Sequence, residues 1–278
     1  MAPVPAGSIA VAPGESIQDA LDKLKANGGG MVSLAAGLHT LPATLRLPSG
    51  VTIAGTGIDC EVFLDSASTQ YEAAIVNAEA DMHDVVLRDF VIEGAATPQA
   101  SKDPNGDVQR RRTQHGPIRA GILFLAEDKA VQRNIRFEHI TVRNCNFSGV
   151  YIYGAEKLDV VNCDFSANGG APPPGIGKNH NLKLDHVSNV SISGSRLCDC
   201  MFGNGVAVSF GREVAIRDCE IARNALDGVR IAESRQVTVE ANLAEGNGGA
   251  GIAQQIWMER NEGVVVHNNI LRNNANPG

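Results

Sequence analysis

The sequence predicts an all-β fold, a solenoid of parallel strands, on three observations. Five segments align without gaps: LDVVNCDFSAN, VSISGSRLCDC, VAIRDCEIARN, VTVEANLAEGN and VVVHNNILRNN. Two columns within them recur in register. One runs Cys145, Asn168, Cys200, Asn224, Asn247, Asn274, with steps of 23, 32, 24, 23 and 27 residues; the other runs Ile140, Cys163, Ser195, Cys219, Asn242, Asn269. Finally, the repeats lack the 3.6-residue apolar period of a helical hairpin, and a unit of 23 residues is too short for one.

The elements follow in chain order. SIQDALDKLKANGG reads as an amphipathic helix over residues 16–26, with Ser16 as N-cap and Gly28 as stop signal. Laid across the open end of a solenoid, such a helix covers apolar surface that has no neighbouring coil. GMVSLAAGLHTL, TLRLPSGVTIAGTG and AAIVNAEADMHDVVLRDFVIEG supply the first, less regular coils, with Phe90 in the column of Ile140. From residue 135 each coil is expected to hold three short strands, the third element being GVYIYG, NLKLDH, GVAVSF, GVRIAE or GIAQQI. Asparagines in one column predict a ladder of amide hydrogen bonds at the strand spacing of about 4.8 Å. Cysteines in the same columns read as small buried residues; no paired CxxC occurs, so a zinc site is not expected, and disulfides among the six are the lesser alternative. The whole chain, 1–278, is expected to form one domain, interrupted by insertions over 95–120 and 169–180.

GGGMVSLAAGLHTL, GVTIAGTG and the Asn/Cys ladders resemble the right-handed parallel β-helix proteins of the pectate-lyase-like superfamily, over residues 8–276. The resemblance implies a right-handed helix. It also implies a function among pectate and alginate lyases, polygalacturonases, mannuronan epimerases and phage tailspikes, whose substrates are mostly acidic or complex polysaccharides. Fold alone does not select among these. The NTD, DD, GHG and RIK set of polygalacturonases is absent, as is the DPH triplet of the epimerases, and RRRTQHGPIR does not match the lyase pattern RxPxxR. No family residue is carried over.

A net charge of −7 argues against a general nucleic-acid or anionic-membrane binder, and no apolar run approaches the roughly 20 residues that span a bilayer. The opening MAPVPAGSIAVAPGES shows neither a charged n-region nor an apolar h-region, so no signal peptide is expected in this chain. A polymer substrate would favour the periplasm or the outside of the cell.

Both insertions end at the start of the same strand stack. There the inward residues are Ile122, Val150, Leu182, Val206, Val229 and Ile252. Leu123, Tyr151, Lys183, Ala207, Arg230 and Ala253 point outward, followed by Leu125, Tyr153, Asp185, Ser209, Ala232 and Gln254. Tyr151, Tyr153, Lys183, Asp185 and Arg230 are thereby gathered on one patch, and the insertions bring Arg110, Arg111, Arg112, His115, Lys178 and His180 to its rim. β-Elimination on a uronate needs a neutralised carboxylate, a base for the C5 proton and an acid for the departing O4. Lys183 is the leading base, Tyr151 or His180 the acid, and Arg230 the carboxylate partner, with Tyr153, Arg112, His115 and Lys178 binding substrate. The gathered cations are expected to lower the lysine pKa. A glycoside hydrolase, transferase or C5-epimerase centred on Asp185 is the alternative, and a non-catalytic glycan-binding β-helix the third. The expected partner in each case is an acidic polysaccharide or oligosaccharide. No cofactor is demanded; Asp103, Asp107 and Asp185 leave room for a calcium ion. Solvated strand residues account for any one of these side chains equally well. His139, His186 and His267 read as turn residues, and Trp257 as a cover for the C-terminal end.

Overall fold

The computed structural model describes residues 7–65, 72–94, 119–127, 129–170, 179–249, 251–255 and 261–275. Parallel strands stack along three faces of a solenoid, each face continuing from coil to coil. The site face carries Leu45–Leu47, Glu72–Asn77 and Arg119–Leu125, and later Val206–Ser209, Val229–Ala232 and Ile252–Gln255. The second face includes Val51–Ala54, His83–Arg88, Gln132–Glu138, Arg212–Arg217 and Arg235–Glu240. The third includes Cys60–Leu64, Val91–Glu93, Thr141–Arg143 and Asp164–Ser166.

Alternation of apolar and polar residues along each strand fills the lumen. Val150, Leu182, Val206 and Val229 are paired rung to rung and have no exposed surface; Ile252 ends the column at 6%. The predicted inward column is therefore the core of this face.

Three strands per coil is not the rule throughout. Val150–Val161 and Leu182–Ser193 are each 12-residue strands that serve both the site face and the second face. The corner between those faces needs one residue with positive φ, and the strand resumes directly after it. Gly154 occupies that corner at φ 74°, where glycine costs nothing; in the next coils His186, Phe210 and Glu233 adopt φ of 52°, 50° and 52°.

The ladders form as expected, with one addition. Asn224 accepts from the Cys200 N–H, Asn247 from the Asn224 N–H, and Asn274 from the Asn247 N–H, at 3.0–3.1 Å. Cys200 has no amide to offer Asn168. Asn181, from the start of the site-face strand, steps in: its Oδ1 accepts from the Asn168 N–H, and its Nδ2 donates to Cys198 O and Asn224 Oδ1. In the second column Ser195 Oγ accepts from the Cys163 N–H and Asn242 Oδ1 from the Cys219 N–H. All six cysteines are buried free thiols.

The helix spans Ile17–Ala26, and Ser16 caps it by accepting from the Asp19 N–H at 3.1 Å. Ile17, Ala20, Leu21 and Leu24 are buried and continuous with the lumen core, so the helix closes that end. At the other end Val265 and Ile270 are 50% and 59% exposed. No helix among the described residues is long and apolar enough to cross a membrane.

Candidate functional site

Strand register places the outward residues of the site face in two columns. Leu123, Tyr151, Lys183, Ala207, Arg230 and Ala253 pair in succession. Leu125, Tyr153, Asp185, Ser209 and Ala232 form the second; in backbone register Ala232 pairs with Gln255, not Gln254, which pairs with Ile231.

Lys183 and Tyr151 are the central pair. The Lys183 Nζ lies 4.3 Å from the centre of the Tyr151 ring, over its face. On the far side the ring packs against an outward apolar cluster of Ala73, Val76, Ala120, Leu123 and Phe147. Both groups are partly withdrawn from water. Burial pushes the Tyr151 hydroxyl up to about 12, helped by the charge of Asp185 and by Tyr153. Burial also moves the Lys183 ammonium below its ordinary value, against the opposing pull of Asp185. The expected direction is found, but the cause is loss of water rather than neighbouring cations. Arg230 stands two coils from Lys183 in the same column, about 10 Å away by strand spacing, with the methyl of Ala207 between them.

Asp185 lies beside Lys183 in the outward direction, and its Oδ1 is 2.7 Å from His186 Nδ1. The His186 ring stands between two others: its centre is 5.1 Å from that of Tyr153 and 4.5 Å from that of Phe210, the latter pair stacked within 26°. His186, expected to be a turn residue, thus stands within the site, and so does Phe210, which no expectation covered. The signal was present in the aligned third elements, where NLKLDH and GVAVSF end on His and Phe at the position that GVYIYG fills with glycine.

His180 departs from its expected place on the rim. It is 4% exposed and belongs to a polar ladder at the corner preceding the site face. Its backbone N–H donates to Ser148 Oγ, its Nδ1 accepts from the Asn204 N–H, and Asn204 Oδ1 accepts from the Asp227 N–H. An imidazole nitrogen here does the work that a hydroxyl or amide oxygen does in the neighbouring coils, which leaves Tyr151 as the candidate acid. The insertion bounds shift for the same reason, Asn179 and His180 being part of the coil and Arg119 and Ala120 part of a strand.

Arg110, Arg111, Arg112, His115 and Lys178 lie outside the described residues, as do Asp103, Asp107 and Trp257. Among the described residues no group of three or more His, Cys, Asp or Glu is placed to hold a metal ion. A recess of about 370 Å³ opens on the corner between the second and third faces, lined by Ile58, His139, Asn162, Asp164 and Arg196; it shares no residue with the site face.

Comparison with known proteins adds the following. The family model of the right-handed β-helix region matches residues 120–278, more than half of the chain. No curated protein matches the sequence. Among solved structures, the A-module of a mannuronan C-5 epimerase from Azotobacter vinelandii superposes with a TM-score of 0.62 at 17% identity, over 93% of this chain and 73% of that one. PfbA, a surface adhesin of Streptococcus pneumoniae, gives 0.68 at 13% identity over 91% and 66%. The Dettilon tailspike protein gives 0.65 at 12% identity over 90% of this chain and 47% of the tailspike, so this chain spans less than half of that protein. At such identities these likenesses speak for the fold. With its three parallel faces, its stacked ladders and its family match, the chain belongs to the right-handed β-helix family.

Proposed function

We propose that the protein binds a uronate-containing polysaccharide along the site face and cleaves it by β-elimination. The observation that carries this reading is the Lys183–Tyr151 pair against its apolar wall. Loss of water lowers the cost of deprotonating Lys183 and keeps the Tyr151 phenol protonated up to about 12. A neutral amine and a neutral phenol, one coil apart, are the base and the acid that the reaction needs. Lys183 Nζ takes the C5 proton, and the C–H electron pair forms the C4–C5 double bond. The C4–O4 bond breaks with its electrons on oxygen, and the Tyr151 hydroxyl supplies the proton there. Arg230, farther along the column, offers a guanidinium to a carboxylate of the chain. A polymer bound along the solenoid axis would meet these groups in sequence. The mannuronan epimerase that shares the fold is consistent with a glycan partner.

A hydrolase reading draws less support. It needs two carboxyl groups across the bond, and the two outward columns supply Asp185 alone, already held by His186. The test is a screen of alginate, pectate and glucuronan in deuterated buffer. An ultraviolet-absorbing unsaturated product supports elimination. Deuterium at C5 without that product indicates epimerisation, and new reducing ends alone indicate hydrolysis. Either result would refute the proposed chemistry.

A further inference from the structure

We propose that Tyr153, His186 and Phe210 form a lip beside the Lys183 column that is a second saccharide subsite, taking a uronate residue next to the one held over Lys183. The lip rests on the reading of this face as a uronate-binding surface, but not on any bond being cleaved there.

Four observations converge on it. The corner that follows the site-face strand requires φ near 50°, and Gly154 shows what fills it without cost. In the next three coils the same corner carries His186, Phe210 and Glu233, so the fold sets the backbone there and leaves the side chain free to serve the surface. Phe210 is 43% exposed and is the one exposed phenylalanine among the described residues. It extends an apolar edge that already includes Leu125, 38% exposed, and Tyr153. Next, the His186 ring is fixed by three neighbours at once, with Nδ1 on Asp185 at 2.7 Å and a ring on either side. Its side chain is nevertheless 50% exposed. Finally, the lip borders the column that carries Lys183 and Arg230, on a chain whose net charge is −7, so the local cations select an acidic ligand.

The division of labour follows from the chemistry of each group. The exposed part of the Phe210 ring meets the C–H face of a pyranose. With Nδ1–H turned to Asp185, the half-exposed His186 ring has Nε2 left to accept a hydrogen bond from a sugar hydroxyl. The titratable groups set against the ring are Asp185 on its own strand and Tyr153 in the preceding coil; the following coil supplies the uncharged Phe210.

The experiment uses the full chain, calorimetric binding of short alginate, pectate and glucuronan oligomers, and the variants Phe210→Asn and His186→Gln. Asparagine tolerates positive φ, so the first variant leaves the corner unstrained. His83→Gln is the control, because His83 makes a similar pair with Asp84 at 3.0 Å and stacks on no ring among the described residues. Phe210→Asn should weaken binding of the preferred acidic oligomer about 3–10-fold, the scale of one aromatic contact. His186→Gln should weaken it as well, through the lost ring contact and the lost hydrogen bond to the sugar. His83→Gln should bind as wild type. Unchanged affinity in both lip variants overturns the proposal, whatever happens to their melting temperatures. So does failure of the wild type to bind any acidic oligomer. Lip variants that lose affinity while the wild type yields no unsaturated product would leave the subsite standing and sink the elimination chemistry.

Discussion

Replacing Asn224 with leucine removes the most connected member of the asparagine ladder while nearly preserving its volume. Asn224 is 1% exposed, so water cannot take its place. Its Oδ1 accepts from the Cys200 N–H and from Asn181 Nδ2 at 3.0 and 3.1 Å, and its Nδ2 donates to Leu197 O and Asn247 Oδ1 at 2.9 Å each. Two of the four partners have other bonds to fall back on. Asn181 Nδ2 still reaches Cys198 O, and Asn247 Oδ1 still accepts from the backbone N–H of residue 224. The Cys200 N–H and the Leu197 carbonyl lose their ladder partner. Each buried orphan costs about 1–3 kcal/mol, for a gross loss of about 2–6 kcal/mol. Burial of the leucine side chain offsets about 1.5–3 kcal/mol, so a net loss of about 1–3 kcal/mol is expected. Equilibrium unfolding in urea measures it as a lower midpoint at unchanged slope. Hydrogen exchange at the Cys200 amide should accelerate alongside. A variant within about 0.5 kcal/mol of wild type, the usual surface effect, would refute the argument that the amide is what holds this turn.

Lys183→Ala should reduce turnover on the active polyuronate about 10²–10⁴-fold, the scale of a lost general base, while the melting temperature barely moves; retention of more than a tenth of wild-type kcat would show Lys183 to be solvated surface. Tyr151 gives an alkaline prediction, since its value in the fold is raised to about 12 from an ordinary 10.0. A raised value means stability that is complete below pH 10.0 and lost as pH climbs through about 12. Denaturation midpoints measured across that window should fall less steeply in Tyr151→Phe than in wild type, and identical slopes would show the phenol to be hydrated. The six thiols, buried and with Cys200 pushed up to about 12, should be silent to an aromatic disulfide reagent in the native protein and all reactive once it is unfolded; a fast-reacting thiol in the native state would contradict their place in the ladders.

What the sequence determined alone is the coil. Side chains one rung apart in a solenoid occupy equivalent environments, so the pattern of one coil is repeated in the next. That repetition makes register legible without coordinates: the inward column from Ile122 to Ile252, the helix capped by Ser16, and the burial of Cys163 and Cys219 on either side of Ser195 were all readable from aligned segments. What only the tertiary structure decided are the departures from repetition. His180 sits directly before a site-face strand, as a rim residue would, yet its Nδ1 serves the Asn204 backbone, because the corner ladder needs an acceptor in that coil. Asn181 fills the gap that Cys200 leaves, a contact between two different positions of the coil that no column alignment displays. The dry wall behind Tyr151 is of the same kind. Phe147, from the turn before its strand, and Leu123, from within one, both pack there beside Tyr151, and burial raises the proton affinity of the Tyr151 hydroxyl. Sequence periodicity reports the environment that equivalent residues share, whereas acidity and ring contact depend on the few atoms that happen to lie nearest. Folding alone brings those atoms together.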